Sequence, residues 1–243
     1  MDLPDLQLAL GRLIRAPTRE DPLGGLRLDT AERARLAALA DSPGFRCTVK
    51  AQRSWCAGRA AKSAQLTLSL RPAEERQRLL DDWVNSGGGT PSFFTAEAAA
   101  FLEFLAERLP CPSHALTVCR VEQATLRARD GAIRFAVPDR SWLDAPDRVL
   151  RAGRYAALVP FHAAPHLLLA ALEGQPLPPI SPTITPVLFG PGLPGLSRLA
   201  TGEEMALWER LRAPQALSAL WREGHPREAI ATLVMAGVAE YGE

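Results

Sequence analysis

The chain has 243 residues, 47% hydrophobic and 23% charged, with a formal net charge of +1. That composition suits one large or two small globular domains able to bury a core. A near-neutral balance speaks against a dedicated nucleic-acid binder, which carries a strong basic excess or a basic face.

The opening "MDLPDLQLALGRLIRAP" starts acidic, and Asp5, Gln7 and Arg12 interrupt its apolar residues, so no secretory signal is expected. The most apolar run, "AAPHLLLAAL", is about half of what a membrane span needs. A cytoplasmic protein is the expectation. Leu6, Leu10, Leu13 and Ile14 recur at helical spacing, and Pro17 ends that run. Thr30 is placed to cap a second helix, "AERARLAALA", which stops before Ser42-Pro43-Gly44. "GFRCTVKAQRSWCAGRAAKSA" reads as a third helix, and "LTLSL" is left unassigned. "PAEERQRLLDDWV" opens with proline and two glutamates, which suits a helix N-terminus, and sets Leu79, Leu80 and Trp83 on one face.

After Gly87, Gly88 and Gly89, Thr95 is placed to cap a helix with Glu97 in its first turn and Phe94, Ala98, Phe101 and Leu105 along one side. Ser113 is placed to cap "HALTVCRVEQATLRARD". Strand-like patterns follow in "AIRFAV", "AGRYAALVPF" and "TPVLFG", while "HLLLAALEG" fits either type. Prolines 176, 178, 179, 182 and 186 exclude a helix between them. Three helical pieces close the chain: "GEEMALWERL", "PQALSALWREG" and "PREAIATLVMAGVAEYGE". Strands followed by three short helices follow the winged-helix order.

The glycine run lacks the parts of a phosphate loop. A Walker loop needs a lysine and a hydroxyl after a buried strand; here no lysine follows and the preceding element is helical. A joint between helices, where glycine permits positive φ, and a close backbone approach to another protein both remain open. His162 and His166 have metal-pair spacing only on a helix, and Pro165 stands between them. Cys47, Cys56, Cys111 and Cys119 form no CxxC pair and read as free thiols. Acid pairs fall at helix ends, and no nucleophile has a matching base in sequence. Arg120, Glu122 and Gln123 need partners if their helix is buried, either within the chain or on another protein. Arg53, Trp55 and Arg59 are residue types favoured at interface hot spots, although Trp55 also suits a core.

"SFFTAEAAAFLEFLAERLP", then "PSH", then "LTVCRVEQATLRA" resemble the small partner subunits of a family of iron-dependent peptide-modifying enzymes. That family includes the MbnC, TglI and HvfC-type proteins. "QRSWCAGRA" and "WVNSGGGT" look closer to the TglI branch, of 3-thiaglutamate biosynthesis. The resemblance is clearest over residues 45–130. It implies an α+β fold in which an N-terminal helical bundle precedes a winged-helix-like domain with a small antiparallel sheet and three helices. Residues 1–130 would be the partner-docking domain, 131–150 a linker, and 151–243 the precursor-peptide recognition domain.

The resemblance also implies that this chain holds no metal or cofactor. Iron would belong to a TIM-barrel partner with a multinuclear centre, and the heterodimer would oxidise a cysteine of a ribosomal precursor peptide. A TglI-like pair would excise the β-carbon of a C-terminal cysteine; an MbnC-like pair would form oxazolone and thioamide. The expected partner interface comprises Arg53, Trp55, Arg59, Trp83, Gly87, Gly88, Gly89 and Arg120. The expected peptide site is a sheet edge at Thr185, Val187, Leu188 and Phe189 beside a helix from Arg227 to Ala239 bearing Ile230 and Val234. The alternative is a winged-helix DNA-binding regulator. After Arg227 the chain has Glu228, Glu240 and Glu243 and no further Lys or Arg, which disfavours a phosphate contact there.

Overall fold

The computed structural model describes residues 3–15, 21–89 and 94–241. Pro17, expected to end the first helix, Pro91 and Glu243 lie outside them, as do the side chains of Phe94 and Thr95. The fold is mixed α and β, with two three-stranded antiparallel sheets among the described residues. The chain divides into two compact units, Met1–Glu107 and Arg108–Glu243. The stretch expected as a linker, 131–150, lies within the second unit, as does the helix that precedes it.

The first unit contains α1 (Leu3–Arg15), α2 (Thr30–Asp41), α3 (Pro43–Ser63), α4 (Gln65–Ser69), α5 (Ala73–Asn85) and α6 (Phe94–Ala106). Asp29, not Thr30, caps α2: its carboxylate accepts the Glu32 N–H while Glu32 accepts the Asp29 N–H. Ser42 caps α3, and Pro43 supplies the preset φ of its first turn. The unassigned "LTLSL" belongs to the short helix α4, with Thr67 and Leu68 buried. Helix α6 begins at Phe94, so Thr95 stands inside the helix rather than ahead of it. One core joins Ala9 and Leu13 of α1 to Leu26 and Leu36. Another sets the Trp83 ring 5.3 Å from both Phe101 and Phe104.

The second unit opens with α7 (His114–Ala132), capped by the Ser113 hydroxyl, which accepts the Leu116 N–H at 3.1 Å. Then come β1 (Val149–Ala152), β2 (Ala157–Phe161), α8 (Pro165–Leu172), β3 (Thr185–Phe189), β4 (Ser197–Leu199), α9 (Gly202–Leu211), β5 (Gln215–Ala216), α10 (Leu217–Arg222), α11 (Arg227–Met235) and β6 (Ala239–Tyr241). "AIRFAV" is not a strand: α7 runs to Ala132, and Ile133 beyond it is exposed. Strands β1 and β2 follow each other through the turn at Gly153 but enter different sheets. The orders are β5-β1-β6 and β2-β3-β4, each antiparallel throughout. Helix α7 packs on β2 and β3, while α9 and α11 pack on the first sheet. Leu150, Leu207, Leu217, Leu220, Ile230 and Leu233 are fully buried in one core.

Thr201 and Glu204 form a reciprocal capping box at the start of α9, and Arg198 makes two hydrogen bonds to the same carboxylate. The Arg198 hydrogen bond holds the Glu204 carboxyl below its usual range, against the opposing effect of burial. A depressed folded pKa stabilises the fold above the unfolded pKa of about 4.3, and that contribution is lost as pH falls through the folded value. Glu204→Gln keeps a side chain that can complete the capping box but removes the charge. We expect it to cost about 1–2 kcal/mol at neutral pH, discounted for the partly exposed arginine. In urea titrations the gap between variant and parent should be flat above pH 5 and should close below about pH 4. A gap independent of pH would remove the ion pair from the account.

No helix among the described residues is long and apolar enough to cross a membrane.

Candidate functional site

The glycine run is the C-terminal cap of α5. Gly87 has φ +88°, its N–H donates to Val84 O at 3.2 Å, and the Gly88 N–H donates to Trp83 O at 2.9 Å. That pairing, with a left-handed residue just past the helix, closes the last carbonyls of α5. Gly88 lies against the indole of Trp83, where a Cβ would overlap the ring. Gly89, with φ +78°, leaves only 2.8 Å between its would-be Cβ and Cys56 Sγ.

Arg59 reaches this turn from α3. Its guanidinium pairs with Glu97 at 2.9 Å and donates to Gly89 O at 3.5 Å. Glu97 is 3% exposed. The result is a polar clamp tying α3, the glycine turn and α6 together.

The residues expected at a partner interface therefore separate. Trp83 is 8% exposed and belongs to the core with Phe101 and Phe104, which corrects its expected surface role. Gly88 and Gly89 are packed against residues of their own unit, and Arg59 has its partner in Glu97. Arg53 donates to Asn85 Oδ1 at 2.7 Å. Trp55 is 67% exposed, so the core reading of this side chain does not hold. Beside Arg53, a groove of about 380 Å3 runs between the small residues Ser54, Ala57, Gly58 and Ala61 of α3 and Leu80 and Val84 of α5. Arg120 belongs to the second unit and is exposed on α7, so burial does not demand a partner for it.

The expected peptide edge is also corrected. Strand β3 is the central strand of its sheet: Val187, Leu188 and Phe189 pair with β2 on one side and β4 on the other. Their side chains are buried, and Thr185 and Pro186 are paired with Phe161 and Pro160. A strand with both sides occupied has no row of peptide groups to offer a ligand. Helix α11 ends at Met235, before the expected Ala239, and buries Ile230 and Val234. Arg227 lies over the Trp221 ring, 4.1 Å from its centroid. His162 follows β2 and His166 is the second residue of α8, so the two do not share a helix turn.

Among the described residues the edge strands are β5, β6, β2 and β4, and β6 is the one beside a groove. It pairs with β1 through Ala152↔Ala239, Arg151↔Glu240 and Leu150↔Tyr241, and no described strand lies on its other side. The Gly153 N–H donates to Val238 O at 2.7 Å, marking a hydrogen-bonded pair. By the alternation of an antiparallel ladder Glu240 also faces β1, and the peptide groups of Ala239 and Tyr241 point away from it; Ala239 is buried and Tyr241 is exposed.

Beside that edge lies a groove of about 310 Å3. Its walls come from Gly131 at the end of α7, the segment Arg134–Pro138, Arg154 and Tyr155, and the α11–β6 junction at Val234 and Gly237. Glycines bring the walls together. Gly131 lies so close to Tyr155 that a Cβ would sit 2.6 Å from the tyrosine side chain. Gly237, at φ +66°, lies against Phe135 and Pro191. Glu240 accepts from Arg151 Nε at 2.9 Å and from the Arg154 N–H at 3.4 Å. Arg148 lies 4.8 Å from the Tyr241 ring centroid, and Trp142 stacks on the same ring.

Residue spacing missed this groove because its parts come from four separated stretches. The one sequence signal was the glycines at 131, 192 and 237, placed where a helix, a turn and a strand must approach closely.

Among the described residues there is no cluster of three or more His, Cys, Asp and Glu side chains arranged to hold a metal ion. No known protein family and no curated protein matches the chain.

Proposed function

We propose that this chain is the non-catalytic small subunit of an iron-dependent peptide-modifying heterodimer of the MbnC, TglI and HvfC kind. Its second unit binds a ribosomal precursor peptide, and its partner is a TIM-barrel protein whose multinuclear iron centre oxidises a cysteine of that peptide. The observation that carries this reading is the edge strand β6, with its exposed Tyr241, beside a groove lined by rings and guanidinium groups. Strand addition next to a helix is a general mode of peptide capture.

The element order supports it. Helix α9, strand β5, helices α10 and α11 and strand β6 follow a winged-helix-like sequence, with the third strand, β1, supplied from upstream. The sequence likeness over residues 45–130 supports the choice of partner. In the first unit Trp55 is the feature best suited to a protein partner, since its ring is 67% exposed and tryptophan is enriched at interface hot spots.

Co-expression with the product of the neighbouring gene, with only this chain tagged, tests the reading. The eluate should hold a second protein at roughly 1:1 together with iron, and the chain purified alone should hold no iron. Trp55→Ala should lower affinity for that partner at least about tenfold and move the unfolding free energy by less than about 0.5 kcal/mol. Co-purification unaffected by Trp55→Ala removes Trp55 from the interface. Failure of any partner to co-purify sinks the heterodimer.

A further inference from the structure

The peptide reading leaves open which peptides fit, and the groove's charges answer that. Three rings line it, Phe135, Tyr155 and Tyr241. The lining charges are Arg134 and Arg154 against the single carboxylate of Glu240. That carboxylate is already engaged: Arg151 pairs with it at 2.8 Å, and Arg154 approaches at 3.9 Å. Arg134 is exposed, and its side chain has no hydrogen-bond or ion-pair partner among the described residues. Arg154 is likewise open to solvent, with a side-chain exposure of 72%. Glu240 therefore neutralises little of what the groove presents to a ligand.

We propose that this groove selects an acidic, extended peptide segment. The segment lies extended along the β6 edge at the exposed Tyr241. Its carboxylates meet Arg134 and Arg154, and an apolar side chain between them rests among the rings. Guanidinium–carboxylate hydrogen bonds are the strong polar contacts available to such a site, and complementary charge governs which partners are accepted. This inference rests on the peptide reading and narrows it.

The test uses the full chain, immobilised, and a synthetic library of twelve-residue peptides with a fixed valine-phenylalanine centre and randomised flanks. Sequencing the retained peptides should show aspartate and glutamate enriched over lysine and arginine by at least about fivefold. That enrichment should vanish in Arg134→Glu/Arg154→Glu, both exposed positions, with the circular dichroism melt of the variant as the control for folding. Arg134→Gln/Arg154→Gln should show an intermediate preference. Retention without acidic preference, or a preference that survives the double reversal in the folded variant, overturns this inference and leaves peptide binding standing. No retention at all overturns peptide binding and this inference together. Displacement of the retained peptides by random-sequence duplex DNA, steeply dependent on salt, would assign the arginines to phosphate and overturn the acidic peptide as ligand.

Discussion

Gly88→Val should lower the free energy of unfolding by about 3 kcal/mol, read as a fall in urea midpoint at unchanged slope. The position has no room: a Cβ there would enter the indole of Trp83, which packs on Phe101 and Phe104. Either the indole leaves its seat in the aromatic cluster or the cap of α5 opens. Both routes lose buried contact. A valine variant that melts with the parent but loses its partner would place the glycine turn at an interface instead. Gly87→Ala makes a useful contrast, since open space surrounds its Cβ and only the positive φ opposes it. Its cost should stay near 1 kcal/mol.

Ile230→Ala should cost about 3–4 kcal/mol. Ile230 is fully buried among the core residues of the second unit, which include Leu217, Leu220 and Leu233. Removing its side chain leaves a cavity that α11 can fill only by shifting against the first sheet. Peptide retention, measured on the fraction that remains folded, should be unchanged, because the side chain does not line the groove. Wild-type stability with lost peptide binding would return Ile230 to the ligand surface where the winged-helix layout had put it.

These two cases show what the sequence could and could not carry. Helices with local signals were legible: Ser113 ahead of α7, and the proline and paired glutamates that open α5. Capping is settled within a few residues, so the chain announces it. The five-residue helix α4 was not legible, because an alternating apolar pattern that short fits either period. "AIRFAV" has strand-forming residues but no strand to pair with, and its Ile133 is 85% exposed. Strand formation requires a partner that propensity does not supply.

The site was harder for the same reason. Thr185–Phe189 was recognisable as a strand; its central place was not, because β2 and β4 reach it from either side along the chain. The edge beside the groove is the three-residue strand β6, which the sequence pattern merged into the last helix. Gly237 ends α11 with its N–H on Val234 O at 2.9 Å, followed by the Val238 N–H on Leu233 O at 2.8 Å. This is the same capping arrangement that Gly87 makes after α5. The "AGV" run held the signal for that break.

The most direct test of the accessory-subunit account is a reconstitution read by mass spectrometry. The precursor peptide is incubated aerobically with the iron protein alone, with this chain alone, and with both. The account predicts a mass change only when both are present. Modification at full rate by the iron protein alone, or any turnover by this chain alone, would contradict it.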